Sequence, residues 1–272
     1  MPELPEVETI VRQLREYGVE GRTIRSVDVL WARTVEPLPV DRFRRELVGD
    51  TILRIDRVGK WVMLVLTSGR FLMIHLRMSG SFSTSPGSHD RLVLFLSGEM
   101  VLYYRDTRKF GRWKLVEDPS TVLDALGPDA LTRDFNLRYF TAVMRGKHRR
   151  IKPLLLDQSV VAGLGNIYAD EALWEAGIHP ERWSDSLEDG ELRTLCAAIR
   201  HVLRIGIRNR GTSLGKGRTN YRDLKGRSGG HRAEVNAYGR TGEPCKRCGV
   251  ALERIIVGQR STHFCPHCQK KT

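Results

Sequence analysis

No stretch of this 272-residue chain is long and apolar enough to cross a bilayer: its longest uninterrupted apolar run, Trp61 to Leu66, falls far short of the roughly 18 residues a span requires. No charged-then-apolar leader opens it either, so no membrane partner is expected and the chain reads as soluble and cytoplasmic. Cysteine is scarce. Of five, four sit in metal-ligand spacing and the fifth, Cys196, lies on an apolar helical stripe as a small buried hydrophobe. This excludes a disulfide framework and suits a reducing compartment. Acid is in short supply too: 32 Asp+Glu oppose 45 Lys+Arg, a formal charge of +13. That excess favours a polyanionic partner and predicts salt-sensitive binding by counterion release from phosphates. Ribosome-associated and membrane-surface proteins share the balance, so charge favours nucleic acid without deciding it. No internal repeat is visible.

The length allows about two domains with real cores. Val7, Ile10, Val11 and Leu14 share one helical face, which predicts an amphipathic helix over residues 5 to 17. β-rich runs follow at Thr23 to Leu30, Thr51 to Val58, Trp61 to Leu66, Phe71 to Leu76, Arg91 to Leu96 and Val101 to Arg105, with Ser68-Gly69 and Ser97-Gly98 as tight turns. Strands at this spacing predict an antiparallel sandwich or flattened barrel. From about Val122 the pattern turns helical, most regularly at Leu192, Leu195, Cys196, Ile199, Val202 and Leu203. Residues Arg204 to Arg232 carry nine Lys/Arg, one acid (Asp223) and seven glycines. Such a composition predicts a mobile basic loop.

The chain opens Met1-Pro2-Glu3-Leu4-Pro5-Glu6. Removal of Met1 would leave a secondary amine at the terminus, and an α-amine titrates near 7.7 to 8.0, so roughly a tenth to a fifth is unprotonated at pH 7. Such an amine is ready to attack carbon and gives an iminium rather than a neutral imine. Glu3 and Glu6 stand beside it as candidate acids. The same residues also read as an ordinary helix start, with proline in the first turn and acids at its positive end.

Cys245-x2-Cys248, sixteen residues and then Cys265-x2-Cys268 match the spacing of a four-thiolate zinc site. All four donors are thiolates with no open position implied, so the Zn2+ is read as one structural ion on which a domain this small depends for folding. His263 and His267 are spare neighbours. Lys246, Arg247, Arg254 and Arg260 would be held toward a phosphate backbone.

Taken together, Pro-Glu-Leu-Pro-Glu-Val-Glu at residues 2–8, the β-rich first half, the helical second half and the C-terminal cysteines resemble bacterial formamidopyrimidine-DNA glycosylases. Further matches are His75-Leu76-Arg77-Met78-Ser79-Gly80, Asp106-Thr107-Arg108-Lys109-Phe110-Gly111, Leu155-Leu156-Asp157-Gln158, residues Gly163 to Glu171, and Gln259 to Cys265. The likeness covers nearly the whole chain. It implies an α+β multidomain fold with an N-terminal antiparallel β-sandwich and N-terminal helix over residues 1–118. A helix-two-turn-helix domain over 119–236 would carry a lesion-capping loop at 214–232, and a β-hairpin zinc finger would occupy 237–272. The implied partner is damaged double-stranded DNA, bound by a monomer in the bacterial cytoplasm and nucleoid.

The resemblance also implies roles. Pro2 would attack C1′ of a nucleotide swung out of the duplex, Glu3 would protonate the sugar ring oxygen, Glu6 would hold the site, and Lys60 and His75 would contact phosphates. Met78, Arg108 and Phe110 would fill the gap left in the stack, with Arg108 bonding the widowed base and Phe110 wedging the step. Asn166, Lys152, Tyr238, Arg254 and Arg260 would hold backbone phosphates without reading sequence. The chain departs from the pattern at two places. Gly215-Lys216-Gly217-Arg218 reads as an insertion and Gly229-Gly230-His231-Arg232 replaces an expected aromatic-glutamine ending, leaving lesion preference open; Arg77 stands where many members have glycine. Two other readings retain most features: the same chemistry on oxidised pyrimidines, as in endonuclease VIII, and a zinc-containing DNA binder without catalysis.

Overall fold

A computed structural model describes residues 2–214 and 221–271. The chain forms two compact units, one of residues 1–124 with 206–232 and the other of 125–205 with 233–272.

The first unit opens with helix α1 (Leu4–Glu16). Its start is fixed by Pro5 in the first turn and by Glu6, whose side chain reaches back to the Glu3 amide at 2.7 Å. Val7, Ile10, Val11 and Leu14 are buried, as the 3.6-residue spacing requires. Strand β1 (Ile24–Val29), helix α2 (Val40–Leu47) and strands β2 (Ile52–Val58), β3 (Trp61–Leu66), β4 (Phe71–His75), β5 (Gly80–Ser83), β6 (Asp90–Leu96), β7 (Met100–Asp106) and β8 (Arg112–Val116) follow. They form two antiparallel four-stranded sheets, ordered β1-β6-β7-β5 and β2-β3-β4-β8. Core residues come from both sheets, among them Ile55, Val62, Leu72, Leu92, Tyr104 and Trp113, which is the expected sandwich. β3 is buried along nearly its whole length because α1 packs on it and on β2, so its apolar run is continuous rather than alternating. The spacing missed α2, β5 and β8: β5 has only four residues, and β8, Arg-Trp-Lys-Leu-Val, breaks its apolar positions with two cations where β4 at the same length runs Phe-Leu-Met-Ile.

The basic segment departs from expectation. Residues 206–214 and 221–232 belong to the first unit, and Tyr221 and Leu224 are buried in the sandwich core. The Leu224 amide donates to Gln13 Oε1 (2.8 Å), Gln13 Nε2 donates to Asp223 (3.0 Å), and Asp223 accepts the amides of Lys225 and Arg227. Glycine and charge content hid these two apolar anchors and the single carboxylate that satisfies the turn. Residues 215–220, the core of the expected insertion, lie outside the described residues.

A single helical turn, α3 (Ser120–Leu123), ends the leading segment of the first unit. The second unit contains α4 (Leu137–Arg145), α5 (Ile151–Leu156), α6 (Asn166–Ala176) and most of α7 (Asp189–Arg208). Its last element is a hairpin of β9 (Glu253–Val257) and β10 (Arg260–Phe264). Gly258 and Gln259 join the strands with φ of 55° and 61°, the left-handed pair a two-residue hairpin turn needs. No helix among the described residues is long and apolar enough to cross a membrane.

Candidate active site and nucleic-acid interface

In the first unit the N-terminal residues are held by one carboxylate. Glu3 and Glu6 are 2% and 1% exposed. Glu6 Oε2 accepts the Glu3 amide and Oε1 accepts the Thr212 amide, both at 2.7 Å. Glu6 therefore ties the segment before α1 to the chain following α7. Gly211 lets that chain approach: its φ is +80°, and a Cβ there would stand 2.8 Å from Glu6 Cγ and Oε1. Tyr221 packs against the same place, its phenol 3.5 Å from the Glu6 carbonyl. Burial, followed by the Glu6 charge, pushes that phenol well above the ordinary tyrosine range.

Lys60 is buried in the turn between β2 and β3, after Gly59 at φ 57°. His75 ends β4 with its ring edge-on to Trp61, centroids 4.8 Å apart. Burial lowers its pKa to about 3, helped by the charges of Arg77, Lys60 and Lys114, so the imidazole is neutral at physiological pH. Its Nδ1 accepts the Arg77 amide at 3.0 Å. A neutral ring with Nδ1 as acceptor carries its proton on Nε2, leaving that N–H as the donor for an anion.

Met78 is half-buried, Arg108 is exposed and Phe110 is 46% exposed; the Arg108 guanidinium lies 5.0 Å from the Phe110 ring centre. Two non-glycine residues beside them have left-handed backbone, Arg77 (φ 53°) and Lys109 (φ 61°). Such positions cost of order 1 kcal/mol or more and cluster where a loop has a task.

The second unit gathers the remaining candidates around β10. Asn166 opens α6 after the Gly163 turn (φ 98°), and its Nδ2 donates to Ser261 O at 3.1 Å. Arg254 Nε donates to Ser261 Oγ at 2.7 Å, and Arg260 is exposed as the first residue after the hairpin turn. Tyr238 lies edge-on to His263, centroids 4.9 Å apart, and its amide donates to Glu171. Glu171 also receives the amides of Asn236 and Ala237, at 2.7 and 2.8 Å; burial pushes its carboxyl up while these three donors oppose the shift.

Lys152 requires correction. Expected to meet a phosphate, it is 0% exposed: its Nζ lies 2.6 Å from Asp170 Oδ1 and donates to Ser261 O and Thr262 Oγ1, each at 2.8 Å. Asp170 Oδ2 in turn accepts the His263 amide at 2.8 Å. A wholly buried ammonium cannot touch a phosphate; Lys152 instead holds β10 through Ser261 and Thr262. Removing one partner of a buried pair strands the other charge. Lys152→Ala is expected to lower unfolding free energy by about 3 to 5 kcal/mol in chemical denaturation, whereas an exposed phosphate ligand would change it by under about 0.5 kcal/mol.

The sulfurs of Cys245, Cys248, Cys265 and Cys268 all lie within 4.8 Å of one another, a donor set that suits one tetrahedral Zn2+ with Zn–S near 2.3 Å. Trp174 Nε1 donates to Cys245 Sγ at 3.4 Å and Arg247 stacks 3.9 Å from the Trp174 ring centre. This is a structural zinc site with no open position.

Comparison with known proteins agrees with this layout. Residues 1–113 match the formamidopyrimidine-DNA glycosylase N-terminal domain, 126–216 the formamidopyrimidine-DNA glycosylase H2TH domain, and 242–271 the zinc finger found in FPG and IleRS. A formamidopyrimidine-DNA glycosylase of Protochlamydia amoebophila is 43% identical over all of both chains. The chain belongs to the formamidopyrimidine-DNA glycosylase family. The crystal structure of the MutM (Fpg) protein from Thermus thermophilus superposes with a TM-score of 0.91 at 40% identity, covering 100% of each chain. Lactococcus lactis Fpg in complex with abasic-site DNA gives 0.89 at 37%, covering 99% of this chain and 100% of that one. Sequence reasoning toward this family found the N-terminal cluster and the zinc ligands but missed the groups that hold them: Thr212 and Tyr221 around Glu6, and Asp170 and Glu171 beneath the finger. Asp170-Glu171 stood inside one of the matching motifs; two adjacent acids amid the apolar residues of one helix were the available signal.

Proposed function

We propose that this protein is a bifunctional DNA glycosylase and AP lyase that removes oxidised purines, chiefly 8-oxoguanine and formamidopyrimidines, from duplex DNA as a monomer. The observation that carries the reading is the buried Pro2-Glu3-Glu6 cluster in a chain that matches its glycosylase relatives from end to end. With Met1 removed, the Pro2 nitrogen attacks C1′ of the extruded nucleotide; the N–C1′ bond forms as the glycosidic bond breaks and the base leaves with its electron pair. Glu3 gives a proton to the ring oxygen, opening the sugar to an iminium. The iminium makes the C2′ protons acidic, and loss of one expels the 3′ phosphate; a second elimination expels the 5′ phosphate. Glu6 is bound to two amides and so holds the cluster rather than exchanging protons. Lys60 and the Nε2–H of His75 bind flanking phosphates, and Asn166, Tyr238, Arg254 and Arg260 bind the backbone.

Borohydride reduction tests this: with abasic duplex it should trap a covalent complex, and its absence favours the non-catalytic DNA binder. Glu3→Gln should slow lesion excision by about 10²- to 10⁴-fold in single-turnover assays. A loss under tenfold would remove Glu3 from its role.

A second reading, oxidised pyrimidines as substrate, draws on a solved complex of Lactococcus lactis Fpg with an oxidized-pyrimidine-containing DNA (TM-score 0.89, 37% identity) and on the unusual residues 214–232. Cleavage of defined duplexes decides: equal or faster rates on dihydrouracil than on 8-oxoguanine would select it.

A further inference from the structure

Asp106, the last residue of β7, is 1% exposed and bonded on every side. Its Oδ1 accepts the hydroxyl of Ser79 and the Arg108 amide (3.1 Å), and its Oδ2 accepts the Gly111 amide at 2.7 Å. Ser79 Oγ also accepts the Arg108 amide, at 3.0 Å. The backbone of Asp106 is fixed in turn, its amide donating to His89 O (3.0 Å) and its carbonyl accepting Arg91 Nε (2.9 Å). One carboxylate thus joins two loops remote in sequence: that of Met78, between β4 and β5, and that of Arg108 and Phe110, between β7 and β8. Beneath them lies the Tyr104 phenol. A Cβ on Gly80 would stand 2.5 Å from its oxygen and one on Gly111 only 1.6 Å, so both loops close down on the ring where any side chain would hold them off.

We propose that Asp106 is a positioning residue that presets the gap-filling triplet before DNA arrives, with Ser79 as the bridge between its two loops. The inference rests on the reading that Met78, Arg108 and Phe110 fill the vacated stack. A half-buried methionine on one loop and an exposed arginine and aromatic on the other would otherwise lose side-chain and loop entropy on insertion; the carboxylate confines both loops beforehand. Amide cannot replace it. Asparagine offers one acceptor oxygen where Asp106 offers two, and in either orientation its NH2 would face a backbone N–H, that of Gly111 or that of Arg108, so the loop of Arg108 and Phe110 loses a bond and meets a donor in its place.

The test uses the full-length protein and its Asp106→Asn and Ser79→Ala variants on two substrates. Single-turnover excision is measured on lesion duplexes with cytosine or adenine opposite, and borohydride trapping on single-stranded abasic DNA, which has no widowed base to hold. Loss of a charged hydrogen bond corresponds to about ten- to hundredfold. Asp106→Asn should lose that much on the duplex, with any difference between cytosine and adenine opposite the lesion reduced, and Ser79→Ala a smaller share of the same kind, while single-strand trapping changes less than about twofold. Duplex excision within twofold of wild type in both variants overturns the proposal, as does a parallel loss on single strands, which marks general damage. If Asp106→Asn does not fold, Ser79→Ala decides alone. Failure of the underlying readings looks different: no trapping by the wild-type protein removes the catalysis, and Phe110→Ala with full duplex activity removes the wedge.

Discussion

Protein that retains Met1 yields no borohydride-stable adduct and excises no lesion. In that form the Pro2 nitrogen is a tertiary amide whose lone pair is delocalised into the carbonyl, and it cannot attack carbon. The effect should match removal of the nucleophile from other covalent enzymes, on the order of 10⁶ in rate, because neither Glu3 nor Lys60 replaces an amine at that position. Intact-mass measurement of the preparation, paired with the trapping yield, makes the check quantitative: adduct should scale with the fraction lacking Met1. Full excision by Met1-retaining or chemically blocked protein would refute the proposed chemistry.

Removing zinc should have the second largest effect. Apparent binding energies of structural zinc in fingers run to about 10 to 16 kcal/mol, and the residues around the four thiolates have few apolar neighbours of their own: their cluster consists of Trp174, Ala237, Cys245, Leu252 and Cys265 with Cys248 and Cys268 against it. Chelation should unfold the finger hairpin and cut affinity for abasic duplex by at least about a hundredfold. The slope of log affinity against log salt should shrink by about one for each phosphate the protein no longer neutralises, those of Arg254 and Arg260 first. Unchanged affinity and slope in metal-free protein would place the phosphate ligands elsewhere. Loss of affinity without change in the hairpin's circular dichroism would contradict the folding role of the ion.

What could be read from the chain was what repeats locally or carries a fixed spacing. The cysteine pairs announced the metal site, the period of α1 and the apolar runs announced the helix and the central strands, and the residues around Pro2 suggested the end at which the proposed chemistry begins. What could not be read depended on partners distant in sequence. Lys152 was expected, from the resemblance, to hold a backbone phosphate; its counterion is eighteen positions on and its other acceptors lie in the finger, so only tertiary pairing turns it inward. Tyr221 and Leu224 sat among glycines and cations, and composition outweighed two anchors that the sandwich core absorbs. Asp106 was visible as part of a motif, but its acceptor role needs Ser79 brought alongside by the pairing of β5 with β7.

Glu171 collecting the three successive amides of residues 236–238 gives the finger a stiff mounting on the helix that begins with Asn166. A hairpin on a slack tether would search for its phosphate after the helix had found its own, each event with its own cost in freedom. Mounted this way, and with Asn166 and Arg254 in their proposed roles, the two would arrive as a single bivalent clamp, whose second half engages at the high effective concentration of a rigid spacer. Grip on the backbone should then disappear in one sharp step as salt rises, with no partly released form along the way.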